Sequence, residues 1–242
     1  MKAKLIIFLA LFALYLFFLH KDVFFLTRLV IAIVAAVIAD SALLYLKTKK
    51  FTITDSSIIS GLIIGIVLSS AQPGWIFLAA AVSAILSKRI IRFKERHFFN
   101  PAGFGILLAV LLFGASTQWL GADLWYILAP FGFYFVWKMR RLGIIMGYIA
   151  AFLALFAAQA VIRGAPLIDI LRYQNYFFIF IMLIEPKTTP VSQKGEIIFG
   201  TGVAALVFIF TLIGVKFESE LAGLLILNIF TPVLNKFERI AK

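Results

Sequence analysis

The sequence predicts an all-α polytopic membrane protein, and three observations indicate that fold class. Of its 242 residues, 63% are hydrophobic and 14% are charged. Soluble globular domains are about 45–50% apolar and about 25% charged, so this chain is too apolar for that class. Its apolar residues form long runs, and its basic residues fall in the gaps between them. Both features are typical of membrane helices, so we expect the lipid bilayer to surround the chain.

Ten apolar runs predict about ten transmembrane helices. A helix that crosses a hydrocarbon core of about 30 Å needs about 20 residues. Several runs are shorter than this, and short runs interrupted by Gly or Pro predict broken helices whose ends are buried in protein. The runs are residues 5–19, 23–46, 57–70, 74–91, 101–115, 123–138, 142–162, 166–184, 196–215 and 220–235.

The charged residues predict the orientation of the chain. With ten crossings, most Lys and Arg residues fall on one side of the membrane, and the other side receives only the scattered Lys21, Arg163 and Lys216. Cytoplasmic loops are rich in Lys and Arg, so we expect both termini to be cytoplasmic and the protein to lie in the inner membrane of the cell. The net charge of +12 is then a topology signal, and we expect no nucleic-acid partner.

The order of the runs predicts two inverted repeats within a single integral membrane domain. Dividing the chain into residues 1–116 and 117–242 gives two blocks of five crossings with opposite orientation. Each block has a short third segment and a break that carries a proline, at Asn100-Pro101 and at Glu185-Pro186. Transporters built from inverted repeats bind their ligands at the repeat interface, so we expect the site there.

The most distinctive stretch surrounds Asn100. A basic segment gives way here to Phe98 and Phe99, an amide, a proline and a new apolar helix. Pro101 suits the first turn of a helix, and Asn100 can cap that helix through its side-chain oxygen. One interpretation is a capped helix start. The other is a ligand site, in which a helix N-terminus presents an amide beside stacking rings.

Two further segments carry candidate binding residues. Prolines on both sides of Thr188 and Thr189 break a helix after Glu185, which predicts either a simple turn or a polar site that faces a ligand or ion. Near the start of the third run, Ser60 and Gly61 are also candidates, because a glycine lets another group approach the backbone closely.

Other polar residues leave two interpretations open. Asp55 can be the N-cap of the third run. Asp40 and Arg28 fall within the second run, where an ionisable group is a functional candidate by default, although Asp40 can also lie near the interface beside Lys47. The chain has no cysteine and two histidines, and it carries no phosphate loop or catalytic triad. Nothing in this pattern is typical of a hydrolase or a kinase.

Five motifs together resemble one family of membrane proteins. This family comprises RnfD, a membrane subunit of the Rnf electron-transport complex, and NqrB, a membrane subunit of the Na⁺-translocating NADH:quinone oxidoreductase. The resemblance extends from about Val23 to the C-terminus. The motifs are Asp55-Ser56-Ser57-Ile58-Ile59-Ser60-Gly61-Leu62-Ile63, Pro73-Gly74-Trp75, Phe99-Asn100-Pro101-Ala102, Glu185-Pro186 with Thr189-Pro190, and Leu227-Asn228 with Pro232.

The resemblance implies a fold of ten helices in two inverted repeats, like that of urea channels, and a flavin within an ion-pumping redox chain. Asn100 matches the second Asn of the family's Asn-x-x-Asn-Pro-Ala segment, near which the quinone-reductase relative holds riboflavin. His97 occupies the place of the first Asn. Glu185 stands where the family has Asp in an Asp-Pro-x-x-Ser-Pro segment.

One departure from the family pattern concerns how the flavin is held. The family has Ser-Gly-Ala-Thr-Pro-Leu on the outer side, and its Thr bears FMN through a phosphoester. Here Ala165 runs directly into Pro166, and the flanking Arg163 and Ile168 carry no hydroxyl. We therefore expect riboflavin or FMN to be bound non-covalently.

The leading hypothesis is a flavin-binding membrane component of an Rnf-like or quinone-reductase-like complex, with other membrane subunits as partners. The Asn100 region would hold the flavin, because aromatic rings and a few polar groups suit a flat cofactor. The alternative is a channel or transporter for a small solute or flavin that keeps the fold without redox activity. A third hypothesis is a structural component that binds no ligand.

Overall fold

The structure is a computed structural model that describes residues 1–93, 96–172 and 174–236. Those residues are predominantly helical, which confirms the all-α polytopic class. Three of the basic residues used for the topology, Lys94, Arg239 and Lys242, lie outside the described residues. The chain forms two compact units, residues 1–120 and 121–242. The inverted relation between the two halves stays a prediction.

The described residues of the first unit form five helices and a two-stranded ladder. Thr54 caps α3, since its Oγ1 accepts from the Ser57 amide at 3.3 Å; the expectation that Asp55 is the cap is therefore wrong. In the ladder, Arg92 pairs with His97. The elements are α1 (Lys2–His20), α2 (Val23–Thr48), α3 (Asp55–Val67), α4 (Gly74–Ile90), β1 (Arg92–Phe93), β2 (Arg96–His97) and α5 (Pro101–Phe113).

In the described part of the second unit, the segment between α7 and α9 is broken. The predicted run 166–184 contains a five-residue α-helix and a five-residue π-helix, and the side-chain oxygen of Asn175 accepts from the Phe178 amide at 2.9 Å where the π-helix begins. The elements are α6 (Trp125–Met139), α7 (Leu142–Arg163), α8 (Ile168–Arg172), the π-helix (Phe178–Met182), α9 (Gln193–Ile213) and α10 (Ser219–Leu234).

Four helices of the described chain are long and apolar enough to cross a membrane, namely α1, α2, α7 and α9. The helices α3, α5 and α10 are apolar but shorter. Large apolar side chains such as Phe24 and Ile162 are exposed on the long helices, as expected for a surface that faces lipid. The number of crossings, the inner membrane and the cytoplasmic position of the termini stay predictions.

The broken end of α3 is completed by the segment that follows α5. After Val67 the chain becomes extended, and the carbonyl of Val67 accepts from the amides of Gln118 and Trp119 at 2.9 and 3.2 Å. The amide of Ser69 donates to the carbonyl of Ser116 at 3.1 Å. Lipid offers no hydrogen-bonding groups, so a helix can end inside a membrane protein only where another segment pairs with its backbone.

Glycines allow α7 and α9 to pack with their backbones in contact. A Cβ atom added at Gly200 would lie 2.1 Å from the carbonyl oxygen of Ile144, and one added at Gly147 would lie 2.4 Å from that of Ile197. Small residues permit such close approach of membrane helices, which gain stability from van der Waals packing. The interface therefore depends on the missing side chains of both glycines.

The substitution Gly200→Ala is expected to destabilise the protein by about 1–3 kcal/mol, because the added methyl group forces two backbones apart. Gly202→Ala is the matched control. Its Cβ would meet the flexible end of Leu227 at 2.9 Å, and alanine favours a helix by about 1 kcal/mol over glycine, so we expect little change. Thermal unfolding in detergent measures the difference. Equal midpoints for the two variants would contradict this account of the interface.

Candidate functional site

Asn100 starts α5 in the way that the sequence predicts. Its side-chain oxygen accepts from the amide of Gly103 at 2.9 Å, its carbonyl accepts from the amide of Phe104 at 2.9 Å, and Pro101 occupies the first helical position. Asn100 is only 3% exposed. The capped helix start is therefore confirmed, and it is buried rather than placed at the surface.

A cluster of phenylalanine rings surrounds this helix start. The rings of Phe98 and Phe99 meet edge to face at 5.7 Å, and those of Phe99 and Phe104 stack at 5.5 Å with an interplanar angle of 28°. All three rings are half-buried. His97 is buried and precedes the rings in β2. We call Phe98, Phe99, Phe104 and Asn100 the Asn100 cluster.

Ser60 and Gly61 lie on α3, which packs against both α2 and α5. The Ser60 hydroxyl donates to the carbonyl of Ser56 at 2.9 Å, and a Cβ at Gly61 would lie 2.5 Å from the Cα of Ile33. The group that approaches Gly61 closely is thus the backbone of α2. Whether either residue also meets a ligand stays a prediction.

In the second unit, the segment Glu185–Pro190 forms a turn that is fastened to α10. The hydroxyls of Thr188 and Thr189 donate to the carbonyl of Glu185 at 3.4 and 2.8 Å. The carbonyl of Thr188 accepts from the Asn228 amide at 3.2 Å and from the Thr231 hydroxyl at 2.8 Å. The structure therefore brings the Glu185-Pro186 motif into contact with the Asn228 motif of α10. Both threonine hydroxyls donate to the backbone. A ligand at this turn stays a prediction.

Arg141 holds the same turn, and sequence reasoning missed it. Its guanidinium donates to the carbonyls of Pro186, at 3.1 Å, and of Pro190, and it forms a 2.8 Å ion pair with Glu196. Arg141 is 6% exposed. The sequence offered it only as a topology charge, because its partners lie more than 40 residues away along the chain.

A second buried ion cluster centres on Asp40 in the first unit. Lys88 Nζ lies 3.2 Å from both carboxylate oxygens, Arg89 Nε donates to Oδ1 at 2.7 Å, and the Thr54 hydroxyl also donates to the carboxylate. Asp40 is fully buried. Its ionic partners are thus on α4. Whether Asp40 also lies near the membrane interface stays a prediction.

A bound flavin stays a prediction, and the chemistry of the described residues bears on how it would be held. The Asn100 cluster offers aromatic rings with partly exposed faces beside a helix start, a set of groups that suits a flat ring with a polar edge. The residues from Gly164 to Leu167 are exposed and include no hydroxyl. A phosphoester needs a hydroxyl, so this segment cannot carry FMN in that way.

Comparison with known proteins gives matches along the whole chain. A sequence model of the NQR2, RnfD, RnfE family matches residues 2–131 and 124–242. The D subunit of the ion-translocating oxidoreductase complex of Erwinia tasmaniensis is 32% identical over 98 residues, which are 38% of this chain and 28% of that protein. The protein of the same name from Yersinia enterocolitica is 33% identical over 101 residues, 39% of this chain and 28% of that protein.

A more distant relative is aligned over most of its length. The D subunit of the proton-translocating ferredoxin:NAD(+) oxidoreductase complex of Clostridium ljungdahlii is 21% identical over 272 residues, which cover 88% of this chain and 82% of that protein. By contrast, the chain spans less than a third of the length of the Erwinia and Yersinia proteins.

Arg141→Lys is expected to loosen the turn at Glu185–Pro190 and to destabilise the protein by about 2 kcal/mol, because an ammonium group cannot reach the three acceptors that the planar guanidinium spans. The exposed Arg140 provides the control substitution Arg140→Lys. Thermal unfolding measures the loss of stability, and the rate of tryptic cleavage after Lys187 measures how far the turn loosens. Unchanged cleavage and stability in Arg141→Lys would show that the guanidinium does not hold the turn.

Proposed function

The chain belongs to the NQR2, RnfD, RnfE family, and we propose that it is the membrane subunit of an ion-translocating oxidoreductase complex and binds a flavin non-covalently. The observation that supports this function most strongly is the family match, which extends over both units of the chain. The relatives are named as subunits of multi-subunit complexes. We therefore expect other membrane subunits as partners of this chain.

The Asn100 cluster is the part of the first unit that supports flavin binding. An isoalloxazine ring is flat and largely apolar, and aromatic side chains stack on such rings with centroids about 4.5–7 Å apart. The half-buried rings of Phe98 and Phe99 provide that surface, and the start of α5 provides polar backbone groups. These residues would bind the ring, orient it and exclude water from it. A bound flavin would supply the electron-accepting chemistry.

The Glu185–Pro190 turn contributes less to the proposal. Its two threonine hydroxyls already donate to the protein backbone, and its carbonyls at Pro186, Thr188 and Pro190 already accept from side chains. We therefore base flavin binding on the Asn100 cluster.

The absorbance spectrum of the protein purified in mild detergent tests this function. We expect flavin bands in the native sample, and after denaturation we expect them in the small-molecule fraction. Flavin that stays on the denatured chain would contradict non-covalent binding. A colourless protein that also fails to bind added riboflavin or FMN would contradict flavin binding altogether, and solute flux through proteoliposomes without an electron donor would then test the channel alternative.

Asn100→Ser separates the capping role of Asn100 from a role in binding. Serine caps a helix about as well as asparagine, so stability should be kept, while the amide that would meet the polar edge of the flavin is lost. We expect flavin affinity to fall about tenfold, which corresponds to about 1.4 kcal/mol. The control is Phe24→Leu on the exposed surface of α2. Fluorescence titration with riboflavin measures affinity, and an unchanged value in Asn100→Ser would remove Asn100 from the site.

A further inference from the structure

One arginine within a membrane helix has no acceptor among the described residues. Arg28 is the sixth residue of α2, which is one of the helices that are long and apolar enough to cross a membrane. Arg28 is half-buried, and its Nε is buried without a hydrogen-bond partner. The salt bridges between described residues do not include it. An ionisable group within a membrane helix indicates a functional site with a partner of opposite charge.

The guanidinium of Arg28 lies against the start of α4. Its Nη1 is 3.0 Å, and its Cζ 3.8 Å, from the place that a Cβ atom at Gly74 would occupy. Gly74 is the first residue of α4, which has no side-chain cap and no acidic residue in its first turn. A helix start carries a partial positive charge. The cation and the helix start therefore meet at one place, and both favour an anion there.

The acidic residue at the same end of α2 has other partners. Asp22 caps α2, and its Oδ1 accepts from the Phe25 amide at 3.2 Å. Its Oδ2 accepts from the Ser70 hydroxyl at 2.5 Å. The described residues therefore offer Arg28 no carboxylate, and an anion that compensates its charge has to come from outside the chain.

The surroundings of Arg28 indicate which anion reaches it. Arg28 lies about 7.5 Å along the axis from the first residue of α2, since a helix rises about 1.5 Å per residue. Its long side chain leans towards the N-terminus of the helix, and so towards the end of the span, where lipid headgroups lie. Phe24, one turn before Arg28, is 68% exposed, and Trp75, next to Gly74, is 54% exposed. Tryptophan is typical of the membrane–water interface.

We propose that Arg28, at the start of α4, binds the phosphate of a phospholipid headgroup. A phosphodiester carries one negative charge, which matches one guanidinium, and the planar fork of N–H donors fits phosphate oxygens. The acyl chains of the lipid lie along the exposed apolar surface of α2, which includes Phe24. Gly74 leaves the space that the guanidinium occupies beside the backbone of α4. This site is independent of flavin binding.

Native mass spectrometry of the full chain tests the proposal, with protein that is delipidated in mild detergent and then titrated with one lipid at a time. We expect phosphatidylglycerol to bind about tenfold more tightly than diacylglycerol, which has the same chains without the phosphate. Inorganic phosphate should not displace the lipid, because it lacks the acyl chains that contribute to binding. Equal affinity for the two lipids would indicate a site for acyl chains alone, and displacement by inorganic phosphate a site for a free anion. Either result would overturn the proposal.

Three variants separate this site from a general attraction between cations and lipid. Arg28→Gln should weaken phosphatidylglycerol binding about tenfold, and its elution in gel filtration checks that it folds. Gly74→Ala keeps every charge but displaces the guanidinium, so it should also weaken binding. Lys21→Gln removes an exposed charge at the same end of α2 and should keep the affinity.

An unchanged affinity in Arg28→Gln, or equal losses in Arg28→Gln and Lys21→Gln, would overturn the proposal. If Arg28→Gln does not fold, an unchanged affinity in Gly74→Ala has the same consequence.

Discussion

The structure depends on one constraint, which is that a backbone group among apolar helices must find its partner within the protein. The ends of broken helices make this constraint visible. Where α3 stops at Val67, the segment after α5 supplies the missing hydrogen bonds through Gln118 and Trp119. In the second unit, the side-chain oxygen of Asn175 accepts from the Phe178 amide where the π-helix begins, and the amide of Tyr176 donates to the carbonyl of Ala122. Each break is therefore fixed by a segment that is distant in the sequence.

The same constraint determines what the buried charges do. Asp40 is surrounded by donors from α4, and the guanidinium of Arg141 spans two carbonyls and a carboxylate. Removing one partner of such a pair leaves an uncompensated charge, at a cost of about 3–5 kcal/mol. These groups therefore stabilise particular turns and helix ends. Glu220 at the start of α10 differs, because its partner among the described residues is the side-chain amide of Asn175.

The Asn100 cluster has an observed structural role and a proposed binding role. Capping requires only the side-chain oxygen of Asn100, which accepts from the Gly103 amide. Serine or aspartate would cap the helix equally well. The neighbouring rings also have a packing role, because Phe99 stacks on Phe104. Part of the Phe99 surface stays exposed.

The sequence by itself determined the class of the protein and the local features of its helices. Apolar runs predict membrane helices because the bilayer has a fixed thickness, and the Asn100-Pro101 pair predicts a capped start because capping involves neighbours three residues apart. Only the tertiary structure decided which charges are buried. Arg141 and Lys88 look like loop charges in the sequence, and the Asp40–Lys88 pair joins residues 48 apart. Such pairs form only when helices pack, so no local pattern reveals them.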